Sequence, residues 1–263
     1  VGATPYHGLM TTHSGTVEEL RLYVSWRSPE GPIHPIGLLR RQRRGDGEAY
    51  SFRYLKLAER LPDFEPLPGL PDLYGRYESR TLFPVFANRV MPRHRPEFDL
   101  LARRADLSRD ADPFEVMART GGRRATDRIE VFAPPRPTPD GRITTLFFVR
   151  GIRHVTGAAE AIEDLSPGEL LRLVDDRENP YNPQALLLHR DDELPVGYVP
   201  DYLVDHVHDL RHLNGHDPDV IVEHVNDADT APHLRVLCRM DARQPEGYRP
   251  FSDARFQPLV PLD

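Results

Sequence analysis

The chain has 263 residues, 39% of them apolar and 29% charged, with a formal net charge of −7. That is more than one average domain and fewer than three, and the apolar share supports a packed core, which excludes wholesale disorder. A single cysteine, Cys238, excludes an internal disulfide and a cysteine-rich zinc site.

No apolar run approaches the ~20 residues needed to cross a bilayer, and no signal peptide is evident. A cytoplasmic protein that does not engage a membrane is therefore expected. Lys56 is the only lysine. A P-loop requires a lysine after its glycine-rich turn, and Lys56 has no such setting, so a P-loop motor or ordinary kinase is excluded. Residues 1–135 hold 21 Arg and Lys against 18 Asp and Glu, a balance of +3; residues 136–263 hold 13 against 23, a balance of −10. Duplex-coating proteins depend on summed phosphate neutralisation. Nucleic-acid contact in the acidic half must therefore be local and set by geometry.

In chain order, residues 1–17 read as a flexible tail. Leu20–Trp26 alternates with period two, as a strand does. Ile36–Arg40 and Ala49–Tyr54 give two more strands joined at Gly45-Asp46-Gly47, in keeping with an antiparallel meander. Thr81–Val90 clusters apolar residues as a buried helix would, and Pro96–Arg104 reads as an amphipathic helix. A third helix starts at Asp112-Pro113, an N-cap followed by proline at the first helical position. Gly121-Gly122 ends it, and Asp127–Phe132 returns as a strand. Residues 18–134 thus form an α+β domain.

Residues 135–142 fall in a segment with four prolines and a glycine between Ala133 and Gly141, which predicts a semi-rigid extended linker. Strands are expected at Thr144–Arg150, Leu170–Asp175, Ala185–His189, Val196–Val199, Asp219–Val225 and Leu234–Met240, with a helix from Asp201, as its cap, to Leu213. Many short strands with one or two helices suggest a small OB- or SH3-like barrel over residues 143–245. Residues 246–263 are a carboxy-terminal extension. Cys238 falls with Leu234 and Val236 on the buried face of its strand.

Three segments of the second domain resemble the HIRAN family in order and spacing. They are Gly151-Ile-Arg-His154, Asp175-Asp-Arg-Glu-Asn-Pro-Tyr-Asn-Pro-Gln-Ala185 and Val196-Gly-Tyr-Val-Pro200. The resemblance implies an OB-like barrel that engages DNA, notably the 3′ end of a single strand. It places Arg153 and His154 on a strand, Asn179, Tyr181 and Asn182 on a turn, and Tyr198 on the next strand, all as DNA contacts. Arginine can pair with a phosphate, and the rings offer faces for base stacking. Two positions depart from the family pattern: Asn182 replaces an acidic residue, and Asp201 stands where an end-binding relative has a lysine. Asn179-Pro-Tyr-Asn-Pro183 also reads simply as a rigid turn.

Val24–Tyr54, Leu82–Val90 and Asp112–Ala125 resemble the amino-terminal subdomain of HipA-type toxin kinases, which contacts partners; the kinase lobe has no counterpart here. This similarity implies, as the alternative to a DNA-binding adaptor, an antitoxin-like subunit. Gly121-Gly-Arg-Arg124 reads either as a helix end or as a phosphate nest using Arg123 and Arg124. Arg41, Arg43 and Arg44, read as a hairpin-loop cluster, are further candidates for phosphate or partner contact; solvated loop arginines explain them equally.

His208, His212 and His216 share a spacing of four, but Asn214-Gly215 ends the helix before they can converge on a metal. Neither Gly-x-Ser-x-Gly nor His-Glu-x-x-His occurs, and no lysine completes a nuclease carboxylate core. The expectation is a non-catalytic protein without metal or cofactor. It would recognise single-stranded DNA or DNA ends and serve a nuclease, helicase or kinase subunit in genome maintenance or phage defence.

Overall fold

The structure is a computed structural model that describes residues 18–44, 47–124, 126–191 and 193–262. The proposed tail at 1–17 and the turn residues Gly45 and Asp46 lie outside the described residues. The described residues form two compact units. Those within Val1–Arg103, Leu107–Pro134 and Phe251–Asp263 make the first, and those within Arg104–Asp106 and Pro135–Pro250 the second.

The first unit is built on an antiparallel sheet of β1 (Glu18–Arg27), β2 (Ile33–Arg44), β3 (Gly47–Tyr54), β4 (Tyr77–Ser79) and β5 (Ile129–Phe132), in the order β4-β3-β2-β1-β5. Alternation in β1 buries Leu20, Leu22 and Val24, and the register carries Leu22 opposite Leu39 and Leu39 opposite Phe52. Three helices pack with it: α1 (Pro84–Ala87), α2 (Phe98–Arg104) and α3 (Pro113–Thr120). The long helix expected at 81–90 shrinks to the four residues of α1, which buries only Phe86. At α3 a full capping box forms: Asp112 accepts the amides of Phe114 and Glu115, and Glu115 accepts that of Asp112. The buried Tyr54 hydroxyl accepts from Leu67 N–H at 2.6 Å and donates to Leu70 O at 2.8 Å, pinning a proline-rich loop that has no regular structure of its own.

The carboxy-terminal segment also belongs to this unit. Leu259 N–H donates to Tyr54 O and Lys56 N–H to Gln257 O, each at 2.9 Å. Phe256 meets the Tyr23 ring edge-on at 5.0 Å.

The second unit contains β6 (Arg136–Pro137), β7 (Arg142–Phe148), α4 (Ala158–Glu163), β8 (Leu170–Asp176), β9 (Ala185–His189), β10 (Pro195–Tyr198), α5 (Asp201–Asn214), β11 (Asp219–Val225) and β12 (Val236–Arg243). Its seven strands form one antiparallel sheet, ordered β10-β9-β8-β11-β12-β7-β6. The inner face is apolar: Val220 lies opposite both Leu171 and Met240, and Val222 opposite Cys238. Leu203, Val204, Val207 and Leu210 of α5 are buried. Cys238 is fully buried, and burial pushes its thiol pKa up.

Further details refine the sequence reading. Among the described residues the barrel is not closed: the bridge of Arg150 with Tyr198 ties β10 to the chain just beyond β7, through hydrogen bonds of 2.7 and 2.8 Å. The proline-rich segment, expected as a semi-rigid extended linker, also takes part in the sheet: Arg136 and Pro137 pair with Thr144 and Ile143, and Thr138 N–H donates to Arg142 O at 2.8 Å. Pro200, not Asp201, occupies the cap position of α5. Leu234 lies in a 3-10 turn (Pro232–Leu234) before β12.

Candidate nucleic-acid interface

The site begins where β7 ends. Gly151 adopts φ +68°, and a Cβ there would sit 2.8 Å from the Tyr198 ring. Gly197 adopts φ +143°, and its Cβ would lie 2.6 Å from both Arg150 O and Val149 Cγ1. Two glycines therefore let the end of β7 and strand β10 approach closely enough to form their bridge.

That bridge fixes Tyr198, whose hydroxyl donates to Asp176 Oδ2 at 2.7 Å. Burial, then this carboxylate partner, raises the Tyr198 pKa. Asp176 ends β8 and also accepts Asn179 Nδ2 at 3.2 Å. Asn179 Oδ1 in turn accepts the amides of Tyr181 and Asn182, at 3.1 and 3.2 Å, and Asn182 Oδ1 accepts that of Gln184 at 3.0 Å. These are nested Asx turns. With Pro180 and Pro183 they present Tyr181, which is 70% exposed.

Helix α5 braces the same turn. His208 Nε2 donates to Gln184 O at 3.1 Å, and Arg211 pairs with Asp175 at 2.6 Å and with Asp217. The Arg211 hydrogen bond, more than any other influence, holds the Asp175 carboxyl below its ordinary pKa.

Asn179, Tyr181, Asn182 and Tyr198 thus form one connected assembly. Arg153 and His154 do not lie on a strand, as the resemblance implied. They occupy a 3-10 turn, Ile152–His154, because left-handed Gly151 turns the chain out of β7. Both are exposed, and neither side chain has a partner among the described residues. The organising carboxylate, Asp176, and the exposed Arg177 beside it were not singled out from sequence. Asp-x-x-Asn ahead of Pro-Tyr, closing a strand, is the local signal for them.

The candidates in the first unit are differently placed. Arg41 is not in a hairpin loop: it lies in β2, 2% exposed. Its guanidinium is 2.5 Å from Asp112 and 5.2 Å from the Phe114 ring centroid, so it serves the α3 cap. Arg43 also lies in β2, paired with Glu48 at 2.6 Å. The Arg44 side chain lies outside the described residues. Arg123 and Arg124 are exposed. The glycine amides before them have partners at the helix end: Gly121 N–H donates to Met117 O at 2.9 Å and Gly122 N–H to Thr120 Oγ1 at 3.4 Å.

Helix α5 stops at Gly215, φ +75°, so His216 leaves the face of His208 and His212. Among the described residues no cluster of His, Cys, Asp or Glu could hold a metal ion. No helix among them is long and apolar enough to cross a membrane.

The second unit is therefore an open, mostly β module of antiparallel strands with its candidate site on the β8–β9 turn. Among solved structures, the chain is similar to a protein from Lactobacillus plantarum, with 19% identity and a TM-score of 0.31, covering 38% of this chain and 98% of that one. It is also similar to the HIRAN domain of human HLTF, with 18% identity and a TM-score of 0.30, covering 41% of this chain and 84% of that one. Comparison with protein families and with curated proteins finds no match.

Proposed function

We propose that the second unit binds single-stranded DNA or a DNA end, without catalysing a reaction on it. Tyr181 carries this reading: its ring stands 70% exposed on a turn locked by two asparagines and two prolines. Holding an aromatic ring in water has no folding benefit, whereas stacking a base on it contributes roughly 1–3 kcal/mol. Arg153 supplies an uncompensated guanidinium in a region whose other charges favour acid, so one or two phosphates are held locally. In this reading the protein is a cytoplasmic adaptor in genome maintenance or phage defence, and a partner such as a nuclease or helicase supplies the chemistry.

The test is binding of a fluorescent oligothymidylate to the full chain. Tyr181→Ala combined with Arg153→Ala should abolish it, and unchanged affinity would remove the assigned site. The salt dependence should be shallow, with a slope of about −0.7 per phosphate in log affinity against log salt.

One observation favours a second activity in the first unit. An apolar groove is lined there by Leu82, Val90, Met91, Phe98, Pro113 and Val116, a surface suited to a protein partner such as a HipA-type kinase. A purified kinase of that type should then bind the chain. Arg124→Glu with Arg123→Glu should weaken that association without changing oligonucleotide binding.

A further inference from the structure

We propose, resting on the single-strand reading above, that the β8–β9 turn recognises a phosphate group and not a free 3′-hydroxyl, with Asn182, Arg153 and Arg177 as the selecting side chains. Holding a hydroxyl in preference to a phosphate requires an acceptor for its proton, best an ionised carboxylate, which also repels phosphate. Asn182 is uncharged and supplies no such carboxylate. Its Oδ1 accepts the Gln184 amide at 3.0 Å, and because a backbone N–H only donates, this bond fixes which way round the carboxamide lies. The free end of Asn182 is Nδ2, a donor with no partner among the described residues.

Three neighbouring acceptor atoms, Asn179 Oδ1, Asp176 Oδ2 and Asp175 Oδ1, are engaged as well. Asn179 Oδ1 takes two amides. Asp176 Oδ2 takes the Tyr198 hydroxyl and Asn179 Nδ2, and Asp175 is paired with Arg211. Arg153, by contrast, is exposed and without a partner among the described residues, and Arg177 is exposed, its charge near enough to Asp175 to help lower that carboxyl's pKa. Against the carboxylates of Asp175, Asp176 and Glu178, the site offers Asn182 Nδ2 and the guanidiniums of Arg153 and Arg177 as donors for phosphate oxygens.

The phosphate can be an internal phosphodiester of a passing strand or a terminal phosphate. Both are resolved by three versions of a 5′-fluorescein-labelled dT10, ending in a 3′-hydroxyl, a 3′-dideoxy sugar or a 3′-phosphate, titrated against the full chain. The dideoxy and hydroxyl ends should bind within about twofold of each other, since no contact to the hydroxyl is lost. Asn182→Asp retains the acceptor for the Gln184 amide, and so the turn, but replaces the donor by a charge. It should weaken binding by about tenfold, and Glu178→Gln should strengthen it.

Tighter wild-type binding of the 3′-phosphate, with the Asn182→Asp loss confined to that end, identifies a terminal phosphate. Equal binding of all three, with a loss on all three, identifies an internal one. A wild-type preference for the hydroxyl over the dideoxy end, or unchanged affinity in Asn182→Asp, overturns phosphate selection while leaving single-strand binding standing. If wild type binds none of the three, the single-strand reading itself fails and this proposal with it.

Discussion

Replacing Gly197 by alanine should unfold the second unit at a much lower denaturant concentration, because the perturbation acts where β10 meets the end of β7. Two costs add. A backbone at φ +143° is one that a residue with a side chain occupies only under strain of roughly 1–3 kcal/mol. The added methyl would also lie 2.6 Å from Arg150 O and from Val149 Cγ1, and relieving such overpacking costs about 1–3 kcal/mol. Together these give about 4 kcal/mol, and the easiest relief is to open the Arg150–Tyr198 bridge.

Gly215→Ala is the control. Its φ is +75° and nothing lies within 4 Å of the new methyl, so only the left-handed strain of roughly 1–2 kcal/mol remains. The chain supplies its own reporter, because its single cysteine is fully buried in this unit. Labelling of Cys238 by a thiol reagent across a urea series gives the midpoint directly. With a slope of about 1.5 kcal/mol per molar urea, Gly197→Ala should lower that midpoint by about 2–3 M, and Gly215→Ala by about 1 M. A Gly197→Ala midpoint no lower than that of Gly215→Ala would refute the account of the junction. Folding and the site are linked here, since the same substitution frees Tyr198 and with it Asp176.

Further outcomes are open to measurement. His206 is 3% exposed, with Nδ1 2.8 Å from the Tyr248 hydroxyl, and burial lowers its pKa to about 4. The unfolded chain therefore binds the proton more readily, and stability present above about pH 6.5 is lost as the pH falls to about 4, by roughly 3 kcal/mol. The Cys238 midpoint should fall across that window, and His206→Phe should flatten the dependence; an equally steep fall in that variant would exclude His206 as its source. Asp112→Ala removes the α3 cap and strands the buried Arg41 guanidinium, which should cost about 4 kcal/mol, read from Trp26 fluorescence in the first unit. Arg41→Met removes the charge while keeping apolar bulk over Phe114, and should cost far less than Asp112→Ala. Tyr181→Ala should weaken oligothymidylate binding by about tenfold and leave the Cys238 midpoint within about 0.5 kcal/mol of wild type; a large stability loss would mark Tyr181 as structural.

Much of this protein is written in local pattern. The strands β8, β9 and β11 follow from runs of β-forming residues between turn signals, α3 from Asp112-Pro113 and Gly121, and the end of α5 from Asn214-Gly215. Such signals act within a few residues and need no knowledge of the rest of the chain. The exposure of Tyr181 on a rigid Asn-Pro-Tyr-Asn-Pro turn belongs to the same kind. Three-dimensional packing decided the remainder. Arg41 looks like one member of a solvated basic cluster, yet it is buried because Asp112, 71 positions away, comes to meet it. Arg153 left the strand because Gly151 turns left-handed against Tyr198. The segment after Pro250 looks like an appendage until Leu259 hydrogen-bonds to Tyr54. In each case the deciding partner is distant in sequence, so periodicity and capping carry no trace of it. The polarity of Asn182, by contrast, is set locally, by the amide of Gln184 two positions on.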